Sequence, residues 1–431
     1  MARGLDYYDG VPKASDAQHG SAITRVPSRN REVIWKYLLQ VALASTLAFN
    51  VLVARCQLST EDHLAEPGFW PRQSHTSNEV FVGNQACAKC HASMVASQEM
   101  TPMAQTAMPA SVADILHTHP DMSFKPNRYN YRIQTSPIKG VSESLYSITD
   151  GAQSLSFPLL WAFGTGRVGQ SYLFKKDDGR FYEARVTYFQ SLKTIGFTPA
   201  RALFSPADID EAMYRVIPQA EVLQCFSCHT TAASVGGAFD EKHLIPGVKC
   251  EACHSAGLNH VNAMHSRSAG GKQVDKMEIF NPANLSPTDS VEFCGACHGS
   301  WWDVKLAKVK GVSTARSAPY RLVTSKCWGK GDDSRLICTA CHNPHEPLET
   351  RSAAYDSACL KCHTLRSGSK TSQGSTGNPH AADAVHRGAA CPIGSTNCTT
   401  CHMQKVFVPE MNDKFTDHRI RIARAGEPFP E

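Results

Sequence analysis

Residues 225–229 read CFSCH, and the same C-x-x-C-H pattern returns as CEACH (250–254), CGACH (294–298), CTACH (338–342), CLKCH (359–363) and CTTCH (398–402). A seventh copy, CAKCH, stands upstream at 87–91. In this pattern two thiols add across the vinyl groups of a haem, and the adjacent imidazole takes the proximal position on the iron. The attaching thiols are then Cys87, Cys90, Cys225, Cys228, Cys250, Cys253, Cys294, Cys297, Cys338, Cys341, Cys359, Cys362, Cys398 and Cys401. The proximal histidines are His91, His229, His254, His298, His342, His363 and His402. Zinc is the bland rival, because Cys225/Cys228 with Cys250/Cys253 nearly meets ribbon spacing. A ribbon needs pairs of pairs, seven is odd, and tetrahedral zinc has no use for a histidine after every second cysteine. Iron–sulfur clusters fail in the same way, since their ligands are the thiolates alone. Seven c-type haems, and with them the transport of electrons, are the expectation.

The chain has 431 residues and a formal net charge of +5. That length suggests two or three domains. The mild excess of positive charge forms no basic stripe, which argues against nucleic acid. Residues 1–36 carry much of the excess, with Arg3, Lys13, Arg25, Arg29, Arg31 and Lys36. They precede YLLQVALASTLAFNVLVA (37–54), an uncharged run long enough for a spanning helix. Basic residues before such a run place the N-terminus in the cytoplasm and the remainder outside. A cleaved signal peptide is the rival reading. The long segment in front and the lack of a clean A-x-A site favour a retained anchor. Arg55-Cys56 does not resemble a lipoprotein cleavage site. Either outcome exports the rest, so a periplasmic or extracytoplasmic location on the inner membrane is expected.

Beyond the anchor the expected organisation is a polar linker (55–82), a first haem segment (83–120), a β-rich insert (121–215), a six-haem domain (216–422) and a tail (423–431). The insert contains runs such as YNYRIQT, SLYSIT and RFYEARVTYF, rich in β-branched and aromatic residues, and Asp177-Asp178-Gly179 reads as a hairpin turn. Gly164, Gly166 and Gly169 spell G-x-G-x-x-G. A dinucleotide fingerprint must enter a helix, whereas SYLFKK downstream is strand-like, so the glycines read as a loop between strands. The segment 367–379 is low in apolar residues. Cys327 and Cys391 could form a disulfide in an oxidising compartment, and the sequence leaves that pairing open.

Six stretches carry a family resemblance. They are FVGNQACAKCHASMVASQEMTPMAQ around the first motif, WAFGTGRVGQSYLF in the insert, HLIPGVKCEACHSAGLNHVNAMH around the third, CTACHNPH at the fifth, and VHRGAACPIGSTNCTTCHMQK and FTDHRI near the end. Together with the seven motifs they resemble bacterial multihaem cytochromes c, nearest the group that includes the tetrahaem electron acceptor of nitrifiers and its larger relatives. The resemblance covers roughly residues 81–422. Ala256 stands where the family often has proline.

The resemblance implies closely packed haems, mostly ligated by two histidines, of low potential and without an open coordination site. It implies a mainly α and irregular-coil chain wrapped around stacked haems, with a β-rich insert between haem 1 and haems 2–7. His260, His345 and His418 are the leading distal ligands, followed by His243 and His386, with His117, His119 and His380 less specific. His265 also follows the third motif, and Met103 of the Pro102-Met103 pair is either an axial ligand or packing against porphyrin. The implied partners are a redox protein that donates electrons and one that accepts them, with membrane contact through the N-terminal helix and oligomeric state open. The alternative from another class is an oxidoreductase of small nitrogen or sulfur oxyanions with one open-coordination haem, and a filament-forming cytochrome is a third. Some nitrite reductases mark the catalytic haem with C-x-x-C-K, which does not occur here.

Overall fold

The computed structural model describes residues 80–138, 140–199, 202–268, 278–329, 333–363, 391, 394–424 and 426–430. The basic tail, the apolar run 37–54, nearly all of the linker, Cys56, His380, His386 and the segment 367–379 lie outside them. Among the described residues no helix is long and apolar enough to cross a membrane.

Ten strands lie between the first and second motifs among the described residues: β1 (Ala107–Pro109), β2 (Asp121–Phe124), β3 (Asn130–Ile138), β4 (Val141–Thr149), β5 (Ser154–Pro158), β6 (Trp161–Phe163), β7 (Gly169–Lys175), β8 (Phe181–Phe189), β9 (Thr194–Phe197) and β10 (Tyr214–Val216). β2 to β5 form a four-stranded antiparallel meander. The other sheet runs β1-β6-β7-β8-β10, with β9 also on β8. Period-2 alternation explains the first sheet: Tyr131 and Ile133 of β3 are buried opposite Ile148 and Tyr146 of β4, while Arg132 and Gln134 between them are not. Those four side chains share one core with Tyr172, Phe174, Tyr182, Val186 and Tyr188 of the larger sheet. Each aromatic side chain buried there stabilises the fold by about 1.5–3 kcal/mol. The Tyr146 hydroxyl is kept satisfied by donating to the Met213 carbonyl at 2.8 Å.

β8 is buried along nearly its whole length. Tyr182, Ala184, Val186 and Tyr188 enter the shared core, whereas Phe181 packs with Trp161 and Leu173 against Val222 and Phe226 of the helix Gln219–His229. Phe226 is fully buried, with Trp161 and Phe163 meeting it edge-on at 5.1 Å. The second motif is thus carried on a helix bolted to the back of the sheet.

These sheets correct the expectation of a mainly helical and coil chain wrapped around haems. The fold is mixed, with several antiparallel sheets and a large β-rich region that builds a conventional hydrophobic core. Each attachment motif needs only about one helical turn, so seven motifs contribute little helix. The alternating aromatic runs contribute the packed mass instead.

The glycine-rich segment 164–169 closes the connection between β6 and β7. Gly164 has φ +97°, and a Cβ there would stand 2.5 Å from the Gly169 carbonyl oxygen. The turn between β7 and β8 is held by Asp178, whose carboxylate accepts from the Tyr182 hydroxyl (2.6 Å), the Arg180 amide (3.0 Å) and Arg180 Nε (2.7 Å). These bonds, the one from Tyr182 foremost, hold its pKa down to about 2. A folded pKa below the unfolded value of about 3.9 means stability fully present above that value and lost as pH falls through about 2. The side-chain carboxyl of Asp178 should therefore titrate in NMR near 2, and Tyr182→Phe should move it upward; a midpoint near 4 in the unaltered protein would refute the arrangement.

Candidate functional site

Six of the seven motifs lie on short α-helical segments or at their ends. The first is inside Asn84–Glu99, the second and fourth close Gln219–His229 and Pro287–His298, the third and seventh are the single turns Cys250–His254 and Cys398–His402, and the sixth ends Asp356–Leu360. The fifth begins a 3-10 turn, Cys338–Ala340. In such a turn the thiols at i and i+3 and the imidazole at i+4 project from one face, the arrangement needed to grip one porphyrin. Burial pushes the thiols of Cys225 and Cys253 up to about 12, so both are neutral at physiological pH.

Tertiary folding brings motifs together in pairs. The thiols of Cys87 and Cys250 approach each other, bringing the first motif beside the third. Cys294 and Cys338 do the same for the fourth and fifth, and Cys359 and Cys398 for the sixth and seventh. Between pairs, Cys228 Sγ lies 3.7 Å from the Ala296 carbonyl oxygen in the fourth motif, and Cys253 and Cys294 are close enough to interact electrostatically. No disulfide joins Cys327 to Cys391; Cys327 instead lies near Cys362 and Cys359.

The imidazoles are oriented by their own hydrogen bonds. His254 Nδ1 donates to the Phe280 carbonyl (2.9 Å), His402 Nδ1 to the Arg421 carbonyl (2.9 Å) and His418 Nδ1 to the Thr416 carbonyl (3.0 Å). A carbonyl only accepts, so Nδ1 carries the proton and Nε2 keeps the lone pair a metal uses. His229 Nδ1 is 2.7 Å from the Thr106 hydroxyl, and Phe163 meets the ring edge-on. Burial holds His229 down to about 4 and also lowers His298, His342, His345 and His418, which keeps these rings neutral at physiological pH.

Two leading distal candidates face proximal histidines. The rings of His254 and His345 have centroids 6.1 Å apart and planes 10° apart, and those of His342 and His418 are 6.2 Å and 47° apart. Metal–imidazole bonds are about 2 Å long, so two of them plus two half-rings span about 6 Å. The residues present fit haem irons held between histidines.

The other candidates sit elsewhere. His117 donates from Nε2 to the Ser111 carbonyl at 3.0 Å, and His119 packs on Tyr188 with centroids 4.9 Å apart. His243 is exposed and bonded through Nδ1 to Asp240 at 2.7 Å. His260 and His265 share the helix Leu258–Ser268, with His265 exposed. Met103 is half-buried, and its carbonyl accepts the Val248 amide at 2.9 Å, next to Gly247. At Gly247 φ is +78°, and a Cβ would lie 1.9 Å from the Ala104 oxygen, so only glycine lets the strand before the third motif approach the first haem segment this closely.

Sequence reasoning passed over Thr106, Arg321 and Asp417. Arg321 is fully buried and grips Asp417 through Nε (2.8 Å) and Nη2 (3.0 Å), donates from Nη1 to the Pro430 carbonyl and stacks its guanidinium 4.4 Å over Phe429. Asp417 immediately precedes His418. An Asp next to a candidate ligand was the available signal; its arginine, 96 positions away, gave none.

A family model for cytochrome c554 and c-prime matches residues 201–255, the segment that contains the second and third motifs. No curated protein and no solved structure matches the chain. The match supports a c-type cytochrome with covalently bound haem and a role in electron transfer.

Proposed function

We propose that this chain is a heptahaem electron relay, in which seven c-type haems are held in neighbouring pairs and most irons carry two histidines. Bound haem supplies iron that accepts and releases one electron at a time. The protein's part is to grip each porphyrin by two thioethers, present neutral imidazoles by their Nε2 atoms, and bring neighbouring sites close enough for electrons to pass. The observation that carries this reading is the facing of His254 by His345 and of His342 by His418 at metal-bridging separation. The apposed thiols of the three motif pairs support close packing of the haems. His254/His345 and His342/His418 are the proposed axial pairs of the third and fifth haems. We place the relay on the exported face of a membrane, held by residues 37–54, between a protein donor and a protein acceptor.

Two measurements on the purified holoprotein test this. Intact mass should exceed the polypeptide by seven haems, and the reduced spectrum should be low-spin and unaltered by carbon monoxide. A mass short by one or more haems would refute the count. Rapid carbon monoxide binding at one haem would overturn the pure relay in favour of an oxyanion oxidoreductase.

A further inference from the structure

We propose that Glu251 and Asp356 are positioning residues: each is a buried carboxylate that locks one attachment motif to the backbone of its paired motif, and so sets the geometry between two haems. The inference rests on the haem-relay reading and goes beyond it by naming what holds the pairs in register.

Glu251 is the residue after Cys250 in the third motif and is 3% exposed. Its Oε2 accepts the Gly83 amide (2.8 Å), and its Oε1 accepts the amides of Val82 (2.9 Å) and Gly257 (2.8 Å). Val82 and Gly83 lead directly into the helix Asn84–Glu99, which carries the first motif. One carboxylate therefore takes three backbone donors, two of them from a segment nearly 170 positions away (169 and 168). Around it, Asn84 Oδ1 accepts the Cys250 amide (3.3 Å) and Gln98 Nε2 donates to the Val248 carbonyl (2.8 Å).

Asp356 repeats the device with different residues. It lies three positions before Cys359 of the sixth motif and is 8% exposed. Its oxygens accept the amides of Asn397 (2.7 Å) and Cys398 (2.8 Å), at the entry to the seventh motif. In both places the acid lies in or just before one motif, two of its amide donors come from the lead-in or first residue of the partner segment, and the thiols of the two motifs approach each other. Hydrogen bonds from amides to a charged acceptor are stronger and shorter than neutral ones, so each seam has one preferred spacing.

An amide cannot do this work. In Glu251→Gln or Asp356→Asn one oxygen becomes an NH2 group that meets a backbone N–H, donor against donor, with volume almost unchanged. Each variant should retain all seven haems by mass but lose intensity in the Soret circular-dichroism couplet, which reports the mutual orientation of neighbouring haems, and shift at least one reduction potential. Tyr146→Phe, which removes the hydrogen bond to Met213 in the β core, serves as the control and should leave couplet and potentials as they were. Couplet and potentials unchanged in both carboxylate variants, with haems fully attached, would overturn the assignment.

Should a variant fail to load haem, amide hydrogen exchange of the unaltered holoprotein decides. Val82, Gly83, Asn397 and Cys398 should exchange about tenfold or more slowly than neighbouring amides that lack such a partner; fast exchange at these four would overturn the proposal. The mass of the unaltered protein tests the haem-relay reading separately, so the two failures are distinguishable.

Discussion

His345→Ala and His418→Ala should each convert one low-spin haem to a high-spin haem that binds carbon monoxide, with no loss of covalent haem. The expectation follows from the two facing pairs, because in the proposed axial pairing removing either imidazole would leave His254 or His342 as the lone axial group on its iron. The effect should be all-or-none at a single haem, and the double variant should show two. His117→Ala and His119→Ala are the matched controls. His117 uses Nε2 on the Ser111 carbonyl and His119 stacks on Tyr188, so neither substitution should produce a high-spin signal. The spectrum of the reduced protein under carbon monoxide reads all four variants at once. A His418→Ala protein that stayed wholly low-spin would remove the fifth-haem pairing, and a high-spin His119→Ala protein would show that a ring packed on Tyr188 serves an iron after all.

Arg321→Ala should cost about 3–5 kcal/mol of stability, the range for breaking a buried ion pair by deleting one partner. The side chains of Arg321 and Asp417 are 0% and 3% exposed, so deleting the guanidinium leaves a carboxylate out of reach of water. Arg321→Lys should recover only part of this. One ammonium cannot make the two-pronged contact with both Asp417 oxygens and also reach the Pro430 carbonyl. Removing both charges, in Arg321→Ala with Asp417→Ala, should be less damaging than Arg321→Ala alone, because no unpaired charge remains. The denaturation midpoint in guanidinium measures all three. Because Asp417 adjoins His418, the single Arg321→Ala variant should also develop some of the high-spin signal of His418→Ala. A midpoint within about 1 kcal/mol of the unaltered protein would show that the pair contributes no more than a surface contact.

The two predictions draw on different levels of the molecule. Cys250, Cys253 and His254 are legible in the sequence because the chemistry they share needs five consecutive residues and one turn of backbone. The strand runs and the Asp177–Gly179 turn are legible for the same reason, since period and turn chemistry are local. The number of repeated motifs points to a helical and coil chain, but number is a poor guide to packed mass. A motif of five residues buries little, whereas Tyr131, Tyr146, Tyr172 and Phe174 build the larger core.

The histidine partnerships were only half legible. The short spacing CTACHNPH put His345 in view, but nothing nearby says that it faces His254, some 90 residues upstream, rather than His342, its neighbour in the chain. What the sequence alone determined is therefore the class of cofactor, covalently bound c-type haem, and the side chains proposed to grip it, since attachment is a matter of adjacent side chains. Which motifs become neighbours, which imidazole meets which, and which carboxylates hold the seams were decided only by the tertiary structure. Those relations depend on backbone donors such as the amides of Val82 and Cys398, which look the same in every residue until folding brings a particular acid within reach.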